Sequence, residues 1–324
     1  MNILLWHVHG SWTTAFVHGR HRYLVPVLPD RGPYGLGRAR TYPWPAAVQE
    51  VTPQELPGAE VDLVILQRPE EYELACRWLG RRPGRDLPAV YVEHNTPKGD
   101  VPASRHPMAD RDDLLVAHVT GFNQLFWDTG TTRTTVIDHG IVAPGVRWTG
   151  ELDRFAVVIN EPVRRWRVTG TDLLPLFAEI APLDVFGMGV GGLGERLGLP
   201  PERLATHEDL PQERMQAEIA RRRAYLHLCR WTSLGLSLIE AMAIGMPVVV
   251  LAAAEAAVAV PPEAGVVGTR LETLCDGARR LVAEPEIARR LGAAARRTAA
   301  DRYGLDRFLA DWDRVLEEEL CGSR

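Results

Sequence analysis

Trp231-Thr232-Ser233-Leu234-Gly235-Leu236-Ser237-Leu238-Ile239-Glu240-Ala241-Met242-Ala243-Ile244-Gly245-Met246-Pro247-Val248 is the stretch whose reading decides the fold of this chain. With an apolar strand at 225–228 before it and another at 248–252 after it, the pattern predicts strand, glycine loop, helix, glycine stop and strand. The helix starts near Ser237 and ends at Gly245. Backbone N–H groups at 235–237 then emerge from the helix N-terminus, where the dipole and the unbonded donors favour an anion such as a diphosphate. Glu240, one turn further in, is placed to accept from two ribose hydroxyls. The same residues have a purely structural reading, because Ser237 and Glu240 spell an S-x-x-E capping box that needs no ligand.

Outward from this stretch the same alternation repeats. Apolar runs at 3–8, 61–66, 89–92, 114–119 and 134–137 read as buried strands, with helical stretches at 70–79 and 122–127 between them. Ala143-Pro144-Gly145 to Gly150 reads as a linker. The pattern restarts with strands at 155–159, 183–186 and 225–228, helices at 172–180 and 213–222, and helices through the C-terminus. Two doubly wound α/β halves facing each other across a cleft follow, with the ligand expected at the carboxyl ends of the strands. The expected domains are 1–145, 146–305 and a final helical segment 306–324.

The 324 residues suffice for two such domains. Hydrophobic residues make up 46% and charged residues 24%, which excludes collagen, coiled-coil and low-complexity classes. A net charge of −5 lacks the overall positive field of a nucleic-acid binder. Lys98 is the only lysine among 37 basic residues, so a phosphate site here uses Arg, helix N-termini or backbone N–H groups. Cys76, Cys229, Cys275 and Cys321 are far apart and show neither zinc nor disulfide spacing. The start lacks a basic leader and the longest apolar stretch, near 246–254, is too short to span a bilayer, so a soluble cytoplasmic protein is expected.

Several other patterns have bland readings. Gly189, Gly191 and Gly194 fit the dinucleotide fingerprint, but Gly198 and Pro200-Pro201 interrupt the helix that should follow. His7 and His9 share a strand face, with His18 and His21 downstream, and read as pocket or core histidines rather than metal ligands. Asp110-Arg111-Asp112 and Asp311-Trp312-Asp313 match D-x-D in a charged loop and a helical pattern. The pairs Arg279-Arg280, Arg289-Arg290 and Arg296-Arg297 read as exposed helix faces; peripheral contact with a membrane is the alternative use for them.

Glu240-Ala241-Met242-Ala243, Gly245 and Pro247-Val248-Val249 resemble the signature of the retaining GT-B glycosyltransferases of the family 4 type, Glu, seven residues, Glu-A-M-A-x-G-x-P-V-V. The stretch from Leu281 to Asp306, Val136-Ile137-Asp138-His139-Gly140-Ile141, and Gly170-Thr171-Asp172-Leu173-Leu174 resemble further segments of that family. The resemblance implies a GT-B fold and transfer of a sugar from a nucleotide diphospho-sugar, with retention and without a metal or cofactor. The acceptor, a small molecule, glycan or lipid-linked sugar, is expected on the N-terminal domain, and the final segment is expected to cross back to it. The family's first Glu aligns with Thr232 and its diphosphate-binding Lys with Thr169. Arg164, Arg165 and Arg167, read as one loop, are then expected to replace that lysine on the diphosphate. Gly10 and Ser11 match the loop whose backbone meets the diphosphate, Gly235, Leu236, Ser237 and Glu240 match the nucleotide site, and His94 matches a histidine that contacts the donor sugar. His94 and Thr232 are therefore the candidate catalytic residues. The missing first Glu leaves a second class open: a non-catalytic nucleotide-sugar binder, or a hydrolysing epimerase of the same architecture.

Overall fold

Short runs built almost wholly of aliphatic residues, such as Leu-Val-Ile-Leu and Val-Val-Val-Leu, form parallel strands covered on both faces, which is why they carry no polar alternation. The computed structural model describes residues 1–322 and divides into two units, residues 1–142 with the segment from Leu305 onward, and residues 143–304.

The first unit runs β1 (Asn2–Leu5), α1 (Gly10–Phe16), β2 (Arg22–Pro26), β3 (Val48–Val51), β4 (Leu63–Leu66), α2 (Pro69–Leu79), β5 (Ala89–Glu93), β6 (Leu115–His118), α3 (Gly121–Phe126) and β7 (Arg133–Val136). All seven strands are parallel, in the order β3-β2-β1-β4-β5-β6-β7. The sequence reading missed β2 and β3. Only Val48 and Val51 of β3 are buried, so this edge strand shows no apolar run.

The second unit runs β8 (Leu152–Val158), α4 (Pro162–Thr169), α5 (Leu174–Ala178), β9 (Leu183–Gly187), α6 (Leu193–Leu197), β10 (Leu204–Glu208), α7 (Gln212–Ile219), β11 (Arg222–His227), α8 (Leu236–Ile244), β12 (Val248–Leu251), α9 (Ala256–Ala259), β13 (Gly265–Gly268), α10 (Leu271–Ala283) and α11 (Pro285–Tyr303). Its parallel sheet has the order β10-β9-β8-β11-β12-β13. The helix expected over 172–180 is split, with a 3-10 turn at Thr171–Leu173 ahead of α5.

α12 (Leu305–Gly322) belongs to the first unit. Phe308, Trp312, Val315 and Leu316 recur at helical spacing and are buried. Trp312 meets Trp12 and Phe16 of α1 edge-on, with ring centroids 5.7 and 5.1 Å apart. Arg307 Nη2 donates to the carbonyls of Asp138 and His139 at 3.0 and 2.5 Å, so α12 also fixes the loop after β7.

In both sheets the strand order reverses beside the first strand, between β1 and β4 and between β8 and β11. Chain leaving the strands there goes to opposite sides and leaves a crevice, the usual ligand position of such sheets.

α8 and α11 approach so closely that a Cβ on Gly292 would run into the Gly245 carbonyl oxygen. Gly292→Ala should therefore destabilise the second unit by about 1–3 kcal/mol through overpacking, read as a lower melting temperature. Gly58→Ala, where a Cβ meets open space, should leave it unchanged. A wild-type melting curve for Gly292→Ala would contradict the close packing.

Candidate functional site

In the second unit the candidate residues gather at the ends of β8 and β11. α8 begins at Leu236 with Gly235, which has no side chain to cap it, at the N-cap. The capping box is therefore not formed. Ser237 lies inside the helix and its Oγ accepts from the Tyr225 hydroxyl at 2.8 Å, while Glu240 accepts from Gln212 Nε2 at 3.0 Å. A Cβ at Gly235 would sit 2.5 Å from His227 Cε1, so only glycine lets the first turn lie against that ring. Glu240 is buried at 3% exposure, a carboxylate set one turn inside a helix start. Thr232 is half-buried in the loop before α8.

The arginine segment, expected as a loop, is the helix α4. Pro162 at its first position supplies a helical φ without needing a hydrogen bond from its nitrogen, which explains the helix start. Trp166, at φ 33° and ψ −98°, interrupts it, and Glu161 ahead of it is left-handed at φ 54°. Strained backbone of this kind persists where the surroundings over-determine it. Arg164 pairs with Glu161, and Arg167 Nη1 with Asp172 at 3.0 Å. Arg165 is half-buried near Cys229, whose thiol burial pushes up to about 11. Thr169 is buried, its hydroxyl donating to the Trp166 carbonyl at 3.0 Å and meeting the Thr171 hydroxyl at 2.8 Å.

Sequence reasoning missed Arg230. It holds Asp172 at 2.6 and 2.9 Å and donates to the Arg167 carbonyl at 2.8 Å, joining α4 to the segment that leads to Thr232. The G-x-G-x-x-G loop is closed from within: the N–H groups of Gly189, Val190 and Gly191 donate to the Glu208 carboxylate at 2.5, 3.0 and 3.0 Å. Those three donors hold Glu208 below its ordinary value, and the five-residue α6 behind them is too short for a phosphate-binding helix.

In the first unit Gly10 opens α1 at the reversal beside β1, with the Tyr42 ring over it; a Cβ there would lie 2.7 Å from Tyr42 Cε2. Ser11 Oγ lies 3.4 Å from the Tyr42 hydroxyl. His94, the first residue after β5, is buried and packs on His9 with centroids 4.0 Å apart, and on Trp12 edge-on at 4.9 Å. Its Nε2 lies 3.0 Å from Gln67 Oε1. The structure thus brings His94 against His9 and Trp12, on either side of Gly10 and Ser11, which lie in the first turn of α1 and not in the loop expected from the sequence.

Both D-x-D matches serve the fold. Asp110 pairs with Arg105 and accepts the Thr131 N–H at 2.9 Å; Asp311 pairs with Arg307 and Arg314, and Asp313 with Arg20 and His21. Among the described residues, no group of three or more His, Cys, Asp and Glu is arranged to hold a metal ion, and no helix is long and apolar enough to cross a membrane. The three arginine pairs of α10 and α11 are exposed.

Solved structures with the same architecture include sucrose-phosphate synthase from Thermosynechococcus elongatus, at 14% identity and TM-score 0.75 with both chains fully covered. Another is Anabaena Alr3699/HepE in complex with UDP, at 15% identity and TM-score 0.72, covering 98% of this chain and 100% of that one. AviGT4, a glycosyltransferase involved in avilamycin A biosynthesis, is 15% identical with TM-score 0.66, covering 99% and 98%. These likenesses establish a GT-B fold of two Rossmann-like domains. Residues 167–313 match the family model described as glycosyl transferase-like. No curated protein matches it.

Burial lowers the basicity of the histidines at these sites: His9 and His227 to about 4, His139 to about 3, His94 well below its ordinary value, with the neighbouring imidazoles adding to the effect on His94. Unfolded, each protonates near 6.5, so between pH 6.5 and 4 the unfolded chain binds protons that the folded chain refuses. Stability should fall as pH is lowered through that window. Glu71, pushed up to about 7 by burial, acts in the opposite sense, but it is one group against these four and against His118, which burial also lowers to about 4. Thermal melts from pH 7.5 to 4 should show a steady drop, flattened in His139→Gln; a pH-independent melting temperature would contradict this account.

Proposed function

We propose that the chain transfers a sugar from a nucleotide diphospho-sugar to an acceptor hydroxyl with retention at the anomeric carbon. Nucleoside diphosphate and a proton are released. In this reading the second unit takes the donor. Glu240 receives the ribose hydroxyls, the N–H groups at Gly235, Leu236 and Ser237 face the diphosphate, and Arg164, Arg165 and Arg167 neutralise it as it departs. Guanidinium groups in that role make metal-independent turnover the expectation. The first unit takes the acceptor, and Gly10 and Ser11 at the start of α1, with His94, are its candidate contacts for the substrates.

One observation carries the reading most: a helix N-terminus with glycine at its N-cap and a buried carboxylate one turn in, at the strand-order reversal of the unit that holds most of the family match. UDP-glucose is the first donor to try, since Alr3699/HepE binds it. The test is release of nucleoside diphosphate from a nucleotide-sugar panel offered with sugar, glycan and lipid-linked acceptors, with and without EDTA. Acceptor-dependent release that survives EDTA supports the reading. A neutral, shorter Thr232 in place of a carboxylate favours the second reading, a binder or hydrolysing epimerase. A binder would give saturable affinity and no release, and an epimerase would give release without an acceptor product.

Glu240→Gln removes a charge from the ribose contact. Nucleotide affinity should fall roughly tenfold to a hundredfold, as for a lost charge-assisted hydrogen bond of about 1.5–3 kcal/mol, with the melting temperature little changed. A variant that melts much lower and binds normally would make Glu240 a structural residue only.

Replacing Arg164, Arg165 and Arg167 together by Ala should weaken UDP far more than uridine, measured by calorimetry. Equal losses for both ligands, or no loss, would remove the arginines from the diphosphate site.

A further inference from the structure

Trp6, Gln67 and His94 are each the first residue beyond a strand, following β1, β4 and β5, which are neighbours in the parallel sheet and end on the same edge. Gln67 ties the three together. Its Nε2 donates to the Trp6 carbonyl at 2.7 Å, and its Oε1 lies 3.0 Å from His94 Nε2, with Gln67 2% and His94 9% exposed. A carbonyl oxygen only accepts, so the Trp6 contact fixes which end of the amide faces which neighbour. Oε1, left facing the imidazole, is also only an acceptor. The bond is complete only when His94 Nε2 carries the proton. The Gln67 peptide N–H donates to Glu71 Oε2 at 2.7 Å, which holds the backbone of this residue as well.

We propose that Gln67 is a positioning residue that fixes His94 as its Nε2–H tautomer, leaving Nδ1 as the acceptor for a hydroxyl of the bound sugar. The inference rests on the glycosyl-transfer reading for its ligand and on the geometry alone for its tautomer. The opposite tautomer would set two lone pairs against each other at the buried Nε2–Oε1 contact. The imidazole is also kept from becoming a double donor: burial and the neighbouring rings of His9 and His139 hold it neutral. His94 therefore recognises a group that donates, such as a sugar hydroxyl, and not a phosphate or carboxylate oxygen.

The test is nitrogen-15 NMR of the histidine side chains, with the His94 signals assigned by their loss in His94→Gln. The wild-type chain should show a protonated Nε2 and an unprotonated Nδ1 for His94, and added UDP-glucose should shift the Nδ1 signal. Gln67→Met keeps the side-chain length and removes the acceptor. It should convert His94 to a mixture of tautomers and lower kcat/KM roughly threefold to tenfold, as for a lost neutral hydrogen bond. If Gln67→Met does not fold, Gln67→Glu, whose carboxylate oxygen facing His94 accepts, should retain the protonated Nε2 above the pH at which that carboxyl ionises. Protonation at Nδ1 in the wild type or in Gln67→Glu, or an unchanged tautomer in Gln67→Met, would overturn the proposal. The tautomer is read without turnover, so a chain that fails to transfer sugar yet shows the protonated Nε2 sinks the transfer reading and leaves this one standing.

Discussion

The start of α8 is held by a glycine, a residue with no side chain of its own to close it. Gly235 sits at the N-cap because the His227 ring occupies the space that any Cβ would need, and its carbonyl takes the Leu238 N–H. Positive potential at that helix end is consequently left for whatever lies beyond the sheet edge. The arrangement of the second unit follows from it. Tyr225 draws the Ser237 hydroxyl toward the sheet, Gln212 holds Glu240 from α7, and Arg230 brings the arginine helix α4 to the same strand end.

Parallel sheets explain why the candidate residues collect where they do. With β4, β5, β11 and β12 largely buried on both faces, their charged residues and the β11 histidine stand at the strand ends, where the chain enters or leaves the sheet, Glu93 in β5 and Arg222, Arg223 and His227 in β11. Gln67, His94, the arginines of α4 and the loop before α8 all occupy such exits. The two reversals of strand order decide which exits diverge and leave room for a ligand.

The legibility of the fold in the sequence tracks burial for most strands, with β2 the exception: Tyr23 to Pro26 are buried inside the sheet and were still missed. Runs such as Leu-Val-Ile-Leu in β4 declare themselves because both faces are covered, whereas β3 with Gln49 and Glu50, and β10 with Thr206, His207 and Glu208, lie at sheet edges and carry polar residues that hide them. The helix at α8 was legible from its glycines, but Ser237 and Glu240 misled as a capping box because the helix starts a turn position earlier than the serine suggests. Arg164 to Arg167 read as a loop because a helix broken at Trp166 has no regular apolar stripe. Gln67 could not have been found: its partners Trp6 and His94 are 61 and 27 residues away, and only the sheet order makes them neighbours. Thr232 and Thr169 stand where a carboxylate and an ammonium are expected, and only Thr169 has its hydroxyl engaged in the fold.

The central claim is that the second unit recognises the diphosphate of a nucleotide and not merely its nucleoside. Calorimetric titration of the wild-type chain with uridine, UMP and UDP under identical salt tests it most directly. The account predicts affinity rising with each phosphate, UDP binding at least tenfold more tightly than uridine, about 1.4 kcal/mol or more. Equal affinities for uridine and UDP, or no binding of either alongside turnover of another donor class, would contradict it.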